Sequence, residues 1–328
     1  MSVQILMSTY NGEKYLNQQL DSLLAQDYQD LLILIRDDGS ADNTINILRE
    51  YEKKTSKISW YQGVNIGPAQ SFFDLIMHAD QNTEVFMFAD QDDIWLNTKV
   101  SRAYSILTKA CLFDGPKQDC PYTTGDLLVS NIGNNMHFSS RMPLLYCGET
   151  MVVDENLQII QHSIIRKVRC LSFGNALVQN ICTGCTAAIN RELLFILQRT
   201  IPDYMIMHDW WLYLTASCFG MVIYDKQPYI KYRQHVHNVT GAMISHKDLF
   251  HYRIKQLLKK RGEIYLQAEA FKNANSDIPE KNMKLIHLLL KSTYSMIGKI
   301  QSACNTQLFR QKRGDDLIFR VITLLGKL

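Results

Sequence analysis

Within the first hundred residues, short apolar runs alternate four times with stretches of helical periodicity, and this alternation constrains the fold more than any other feature. VQILMS (3–8) reads as a strand, and Leu16, Leu20, Leu23 and Leu24 then recur at the spacing of one buried helix face. LLILIRD (31–37) is a second strand, followed by a helix over 43–54 with Asp42 as its N-cap. KISWY (57–61), a helix near 69–80 after Pro68, and EVFMFAD (84–90) complete the series. Strands separated by crossover helices pair in parallel and need cover on both faces. The expected fold class is therefore α/β, with a Rossmann-like, mostly parallel sheet.

In such sheets ligands bind beyond the carboxyl ends of the strands, where the loops converge. Each strand here ends in a polar loop: STYNGE (8–13), DDGSAD (37–42), NIGP (65–68) and DQDD (90–93). The last places Asp90, Asp92 and Asp93 directly after an apolar run. Carboxylates this close repel one another unless a positive group neutralises them. An Asp-x-Asp pair can hold Mg²⁺ or Mn²⁺ and leave coordination positions for water and a substrate phosphate. The other reading is a solvated acidic turn capping a helix that begins near Asn97. A calcium loop is excluded by its spelling, because Ile94 and Trp95 stand where an oxygen ligand and a glycine are needed. Neither GxxxxGK[ST] nor GxGxxG occurs, which argues against NTPases and dinucleotide oxidoreductases.

From 111 to 180 the pattern weakens, with Gly115, Pro116, Pro121 and Pro143 in loops. CTGCTAAIN (182–190) reads as a strand followed by a helix, RELLFIL. HDWWLYLTASCFG (208–220) reads as a buried helix ended by Gly220, and MVIYD and PYIKYRQH as strands. After 245 the chain reads as helical, with Leu285, Leu288, Leu289 and Ser292 forming a stripe among lysines. Residues 245–328 carry 16 Lys and Arg against 7 Asp and Glu, a net of +9, which leaves −6 for residues 1–244.

At 328 residues and 46% hydrophobic the chain is globular, and no apolar run reaches the roughly 18–20 residues of a membrane span. MSVQILMSTYNGEKYL lacks the features of a signal peptide, so the expected compartment is the cytoplasm. The eight cysteines are mostly isolated and expected to be reduced. Cys182 and Cys185 form a CxxC without two further ligands at a zinc-like spacing, and read as small residues lining a packed strand.

STYNGEKYL, IRDDGSADNT, NIGPAQSFFD and ADQDDIW, in that order, resemble the family 2 glycosyltransferases of the GT-A fold. The likeness is to bacterial rhamnosyltransferases of cell-wall polysaccharide and O-antigen synthesis in particular. CTGCTAAINREL, MHDWWLYLTASCFG and IKYRQHVHNVTG resemble the same subgroup, so the likeness spans about residues 3 to 244. It implies a catalytic domain over 1–244 and a basic, mostly helical extension over 245–328.

The resemblance also implies roles. Asp38 would accept the N3 proton of a uracil or thymine, and Thr9, Asn11 and Glu13 would line base and ribose. Asp37 either contacts the nucleotide or supports its loop by bonding backbone amides. Asn65 and Gly67 would flank the nucleotide. Asp90 and Asp92 would be the family's DxD, with Asp92 on the metal and Asp90 serving both ribose and metal. Asp93 would share the metal or face the acceptor. Asp209 would be the base, its alternative being a first-turn acid favoured by the helix dipole. Trp210, Gly184 and Cys185 would line the acceptor, with Trp211 in the core. Arg233 and His235 would close over the diphosphate, His235 also binding metal, where the bland reading is a surface loop. His237 fits that spacing less well. The sequon Asn238-Val239-Thr240 would be idle in the cytoplasm.

The implied function is metal-dependent, inverting sugar transfer onto a lipid-linked cell-surface polysaccharide intermediate, with dTDP-L-rhamnose as leading donor and Mg²⁺ or Mn²⁺ as cofactor. The alternatives are a hexosyl- or N-acetylhexosaminyltransferase using a UDP-sugar, and a catalytically silent nucleotide-sugar or glycan binder. The basic tail, including LIFRVITLLGKL (317–328), either lies on an anionic membrane surface at the inner face of the plasma membrane or packs on the catalytic domain or a second subunit. Nucleic acid is not an expected partner, because the basic residues form no recognised binding module.

Overall fold

Four strands carry the N-terminal alternation: β1 (Val3–Thr9), β2 (Leu31–Asp37), β3 (Ile58–Gln62) and β4 (Val85–Ala89). In this computed structural model, which describes residues 2–109, 122–130, 142–161, 168–235 and 262–326, they lie side by side in parallel in the order β3-β2-β1-β4. Side chains alternate across a strand, so each face of the sheet collects its own core. Val3, Ile5 and Met7 pack with Leu16, Leu20 and Leu23 of α1 (Leu16–Leu24) and with Ile47 and Leu48 of α2 (Thr44–Lys54). Leu6, Phe86 and Phe88 pack on the other face with Phe72, Phe73 and Ile76 of α3 (Pro68–His78). The cap of α2 lies one residue later than expected, at Asn43. Asp42 still serves the first turn, since its Oδ1 accepts from the Thr44 N–H at 3.0 Å.

Beyond β4 the expectation of a mostly parallel sheet gives way to a mixed one. The chain continues through β5 (Ile94–Trp95), α4 (Lys99–Lys109), β6 (Tyr122–Thr124), β7 (Leu127–Val129), β8 (Leu144–Gly148), β9 (Met151–Val153) and β10 (Ile159–Gln161). After α5 (Phe173–Ala176) and a 3₁₀ turn at Gly184–Thr186 come β11 (Ala188–Asn190), α6 (Arg191–Arg199), α7 (His208–Phe219), β12 (Met221–Asp225) and β13 (Ile230–Arg233). The main sheet extends as β4-β11-β8-β12-β7-β6, with β11 antiparallel to both neighbours. A second sheet, β10-β9-β13-β5, pairs β13 antiparallel to β5. That pairing brings the residues after DQDD against those leading to Arg233 and His235.

Gly220 ends α7 as the sequence indicates, and does so by close approach rather than by a left-handed turn. Its φ is −155°, and a Cβ there would stand 1.9 Å from the Pro143 carbonyl oxygen, so close approach excludes any side chain.

The C-terminal helices are α8 (Glu263–Ala274), α9 (Glu280–Lys291), α10 (Met296–Cys304) and α11 (Arg313–Leu324). Phe271 of α8 meets the rings of Trp211, Phe173 and Phe219, and Ile286, Leu289 and Phe319 join the same core as α3 and α7. Buried Gln311 donates to the Cys170 carbonyl and to Asn175 Oδ1, tying the tail to α5. The boundary expected at 244/245, His237 and the sequon lie outside the described residues. Among the described residues Cys147, Cys170, Cys182, Cys185, Cys218 and Cys304 form no disulfide, and the first, third, fourth and fifth are buried. Among the described residues, no helix is long and apolar enough to cross a membrane.

Candidate active site

β1 and β2 end in register, Thr9 opposite Asp37, so their loops emerge side by side. Asn11 has a φ of 48°, a left-handed conformation that Asn tolerates better than most residues. Its Oδ1 accepts from the Ala41 N–H at 2.9 Å, and its own N–H donates to Ser40 Oγ at 2.9 Å. Glu13 Oε2 accepts from the Asn43 N–H at 2.9 Å. Both side chains stand exposed at the rim and stitch the two loops together. Buried Asp37 accepts from the Gly39 and Ser40 N–H groups at 3.1 and 2.9 Å, which is the loop-supporting reading of this residue.

Asp38 clamps the third loop onto β2. It accepts from the Ile66 and Gly67 N–H groups, both at 2.9 Å, and from the Arg36 guanidinium. Gly67 has a φ of +80° and Asn65 is exposed beside it. Arg36 is buried and also donates to Asp74 at 3.0 Å and to the Val64 carbonyl at 3.1 Å. Buried Thr9 donates its hydroxyl to Gln91 Oε1 at 2.6 Å, and the Tyr10 N–H donates to the same oxygen at 2.8 Å. Gln91 returns a bond from Nε2 to the Tyr10 carbonyl at 3.0 Å, so it clips the first loop to the acidic one. A Cβ on Gly12 would fall 2.3 Å from Gln91 Oε1, which explains the glycine in STYNGE.

The acidic loop is not the solvated turn that the sequence left open. The two-residue strand β5 follows it, the helix begins at Lys99, and Asp93 is fully buried. Asp93 Oδ1 accepts from the Arg233 N–H at 3.0 Å, while Oδ2 is buried with no hydrogen-bond partner. Asp90, Asp93 and Cys185 bring potential ligand atoms within 4.8 Å of one another. Asp92 instead faces His235, with Oδ2 2.7 Å from Nε2. Burial, then the charges of Asp92 and Asp209, push the Asp90 carboxyl up to about 7. Burial beside Asp92 and Asp90 raises Asp93 well above the usual carboxylate range. Two adjacent carboxyls that resist ionisation, one with an orphaned oxygen, fit a hard divalent cation held by oxygen ligands. Burial raises the Cys185 thiol, which stays protonated and lies buried among the acids.

Arg233 has a different set of partners from the diphosphate expected of it. It is buried, its Nε donates to the Asp92 carbonyl at 2.8 Å, Nη1 to the Glu155 carbonyl at 2.7 Å and Nη2 to Gln18 Oε1 at 2.6 Å. The guanidinium braces the acidic loop from behind. Lys99, buried at the start of α4, donates to the Cys185 carbonyl at 2.8 Å and lies 3.1 Å from the Trp95 ring centroid. Burial lowers its pKa to about 7, so it only partly offsets the acids.

Asp209 lies in the first turn of α7. Oδ2 accepts from the Gly184 N–H at 3.1 Å and Oδ1 from the Trp210 N–H at 2.7 Å. Desolvation outweighs these bonds and pushes its carboxyl up to about 6. The neighbouring His208 is buried, stacks on Phe72 with centroids 4.0 Å apart, and is held neutral by burial, its pKa lowered to about 3. Trp210 donates its indole N–H to the Ala176 carbonyl at 2.7 Å, whereas Trp211 is wholly buried core.

Gln91, Lys99 and Arg36 escaped the sequence analysis. Arg36 and Lys99 did leave a signal: a charge inside the apolar run LLILIRD, and a cation opening a helix whose dipole disfavours it there. Gln91 left none.

Residues 4–168 match the glycosyl transferase family 2 pattern. The chain is similar to the dTDP-rhamnosyl transferase RfbG of Shigella flexneri, 29% identical over an alignment of 332 positions that covers 98% of this chain and 99% of RfbG. Among solved structures it is similar to S. aureus TarS 1-349 in complex with UDP-GlcNAc, with a TM-score of 0.56 at 16% identity over 100% of this chain and 82% of that one. It is also similar to the mannosyltransferase PcManGT from Pyrobaculum calidifontis in complex with GDP-Man and Mn²⁺, with a TM-score of 0.50 at 15% identity over 92% of this chain and 71% of that one. These likenesses establish a GT-A-like fold with C-terminal helices added. The match over residues 4–168, on a chain with this fold, makes it a member of glycosyl transferase family 2 and a glycosyltransferase.

Proposed function

We propose that the chain is a metal-dependent, inverting rhamnosyltransferase that moves L-rhamnose from dTDP-L-rhamnose to a lipid-linked cell-surface polysaccharide intermediate. The reading is carried by Asp209, a carboxyl fixed by two backbone N–H groups, raised to about 6, and close enough to Asp90 for their charges to interact. A base poised just below neutral pH is ionised at pH 7 and still basic enough to take a proton. The near full-length likeness to RfbG supports the donor.

In this reading Asp209 accepts the proton of the acceptor hydroxyl as its oxygen bonds to the anomeric carbon. The bond from that carbon to the diphosphate oxygen breaks on the opposite face, the electron pair leaves with the nucleoside diphosphate, and the configuration inverts. Trp210 offers an aromatic face to the acceptor ring, and Gly184 fixes the base. Thr9, Asn11, Glu13, Asp38, Asn65 and Gly67 shape the nucleotide pocket, while Asp37 and Arg233 hold its loops. Asp90 and Asp93, with Asp92 and His235 alongside, are the groups that would hold Mg²⁺ or Mn²⁺. The cation would neutralise charge on the leaving diphosphate.

A second reading, transfer of an N-acetylhexosamine from a UDP-sugar, draws on the likeness to TarS in complex with UDP-GlcNAc. Calorimetric titration with dTDP-rhamnose, UDP-glucose, UDP-galactose and UDP-N-acetylglucosamine, each with Mg²⁺ and with EDTA, separates the two. Selective, metal-dependent binding of dTDP-rhamnose is expected. Selective binding of a UDP-sugar would replace the donor, and failure of all four would favour a silent glycan binder or a donor outside this set.

A further inference from the structure

α10 and α11 pack antiparallel at the chain's end. Arg320 donates to the Ala303 carbonyl near the end of α10, and Gly326, just past α11, lies against Lys299 early in α10. Their inner sides are spent on the protein: Gly298, Ser302 and Ala303 of α10, and Phe319, Ile322 and Thr323 of α11, are buried. Their outer sides are apolar as well. Met296, Ile297, Ile300 and Cys304 face solvent on α10, as do Leu317, Val321, Leu324 and Leu325 at the end of the chain. Positions 317, 321, 324 and 325 follow the spacing of a helix stripe that a soluble protein normally turns inward. Met296 is 67% exposed and Leu317 64%, so neither is shielded by a neighbour. Tyr294, 77% exposed, stands at the edge of this face.

Charge selects the occupant. Between residues 280 and 320 the chain carries eight Lys and Arg against Glu280, Asp315 and Asp316, and Glu280 pairs with Lys284 at 2.7 Å. Lys291 and Arg313 are exposed and Lys299 half-buried around the apolar stripes. Of the acids in α11, Asp316 is taken up by Arg320 at 3.0 Å and the Arg310 N–H at 2.9 Å. A second copy of the chain docked across a two-fold axis would set these cations against themselves. An anionic headgroup layer over apolar lipid complements both features, with an aromatic ring at the boundary.

We propose that the outer faces of α10 and α11 form an interfacial docking surface for an anionic lipid bilayer. The surface carries this inference by itself and does not depend on the donor or on the chemistry at Asp209. It would bring an enzyme without a spanning helix in its described residues to the surface where lipid-linked molecules reside.

The test is co-sedimentation of the full chain with vesicles of phosphatidylcholine alone and of phosphatidylcholine mixed with phosphatidylglycerol. Binding to the anionic vesicles is expected, weakening with salt. Replacing three outward residues together, Leu317→Ser, Val321→Ser and Leu324→Ser, should reduce it about tenfold or more while the melting temperature and donor binding stay unchanged. If that variant melts lower, Arg313→Glu at an exposed position replaces it and should also weaken binding to anionic vesicles. Absence of anionic vesicle binding, or binding equal in wild type and both variants, overturns the proposal. So does sedimentation velocity showing a dimer that the triple variant dissolves without any vesicle binding by the wild type.

Discussion

Gly184 donates its backbone N–H to Oδ2 of Asp209 at 3.1 Å, and a Cβ at Gly184 would stand 2.8 Å from Nε2 of His208, the residue before Asp209. The His208 ring is stacked on Phe72 and buried, so it has no room to retreat. Gly184→Ala should therefore shift the first turn of α7 and misalign the base. The expected result is a fall in kcat of about tenfold or more with donor KM little changed, because a small displacement at a reacting group is expensive. Steady-state kinetics at saturating acceptor check this, and an unaltered kcat would separate Gly184 from the base.

Asp209→Asn preserves size and removes basicity. Turnover should drop by about 10²–10⁴ while calorimetric donor binding survives. The folded carboxyl sits at about 6, so in the wild type kcat/KM should rise with pH through about 6 as the base ionises, and this limb should be absent in the variant. The stability sign is opposite. A carboxyl raised by burial favours the folded state when protonated, so its ionisation costs stability as pH rises from the ordinary carboxylate range to about 6. Urea midpoints of wild type and variant across that window should converge at low pH and separate above it.

The parallel half of the sheet was legible because each element carries its own period. LLILIRD coincides with β2, and the leucine stripe of α1 faces the core through Leu16, Leu20 and Leu23. The polar loops were legible for the same reason, as they interrupt those periods at the strand ends. What did not show was built from distant pairings. β5 is two residues long and meets β13 from far along the chain, and β11 enters between β4 and β8 without a crossover helix. Arg233 illustrates the consequence. The family resemblance implies a role at the diphosphate, and the partners that Arg233 has come from Asp92, Glu155 and Gln18, residues brought to it only by the second sheet and α1.

Protons and a divalent cation should compete at Asp90 and Asp93. Asp90 sits at about 7, and burial beside Asp92 and Asp90 raises Asp93 well above the usual carboxylate range, so in mildly acidic solution the pair resists ionisation and offers a cation little. The rise in Tm produced by Mn²⁺ should accordingly be small near about pH 5.5 and grow as pH passes through about 7, since binding then releases fewer protons. At about a hundred times the Kd the cation would add about 2.7 kcal/mol. Differential scanning fluorimetry with and without Mn²⁺ reads this directly. Asp93→Asn should reduce the shift, and a Tm indifferent to Mn²⁺ at every pH would sink the cation site.

Asp38→Ala distinguishes holding a loop from touching a base. Asp38 and Arg36 each expose only 4% of their side chains, and Asp38 also accepts the Ile66 and Gly67 amides. Removing the carboxylate leaves a buried guanidinium with Asp74 and the Val64 carbonyl, and strips two N–H groups of their acceptor. Breaking such a pair from one side costs about 3–5 kcal/mol, so the urea midpoint should fall markedly. Asp38→Asn keeps one acceptor oxygen and should cost less. Donor affinity should decline in both, more steeply in the alanine variant, because NIGP is no longer pinned to the end of β2. A variant with weakened donor binding and an unchanged urea midpoint would instead make Asp38 a direct nucleotide ligand without a structural role.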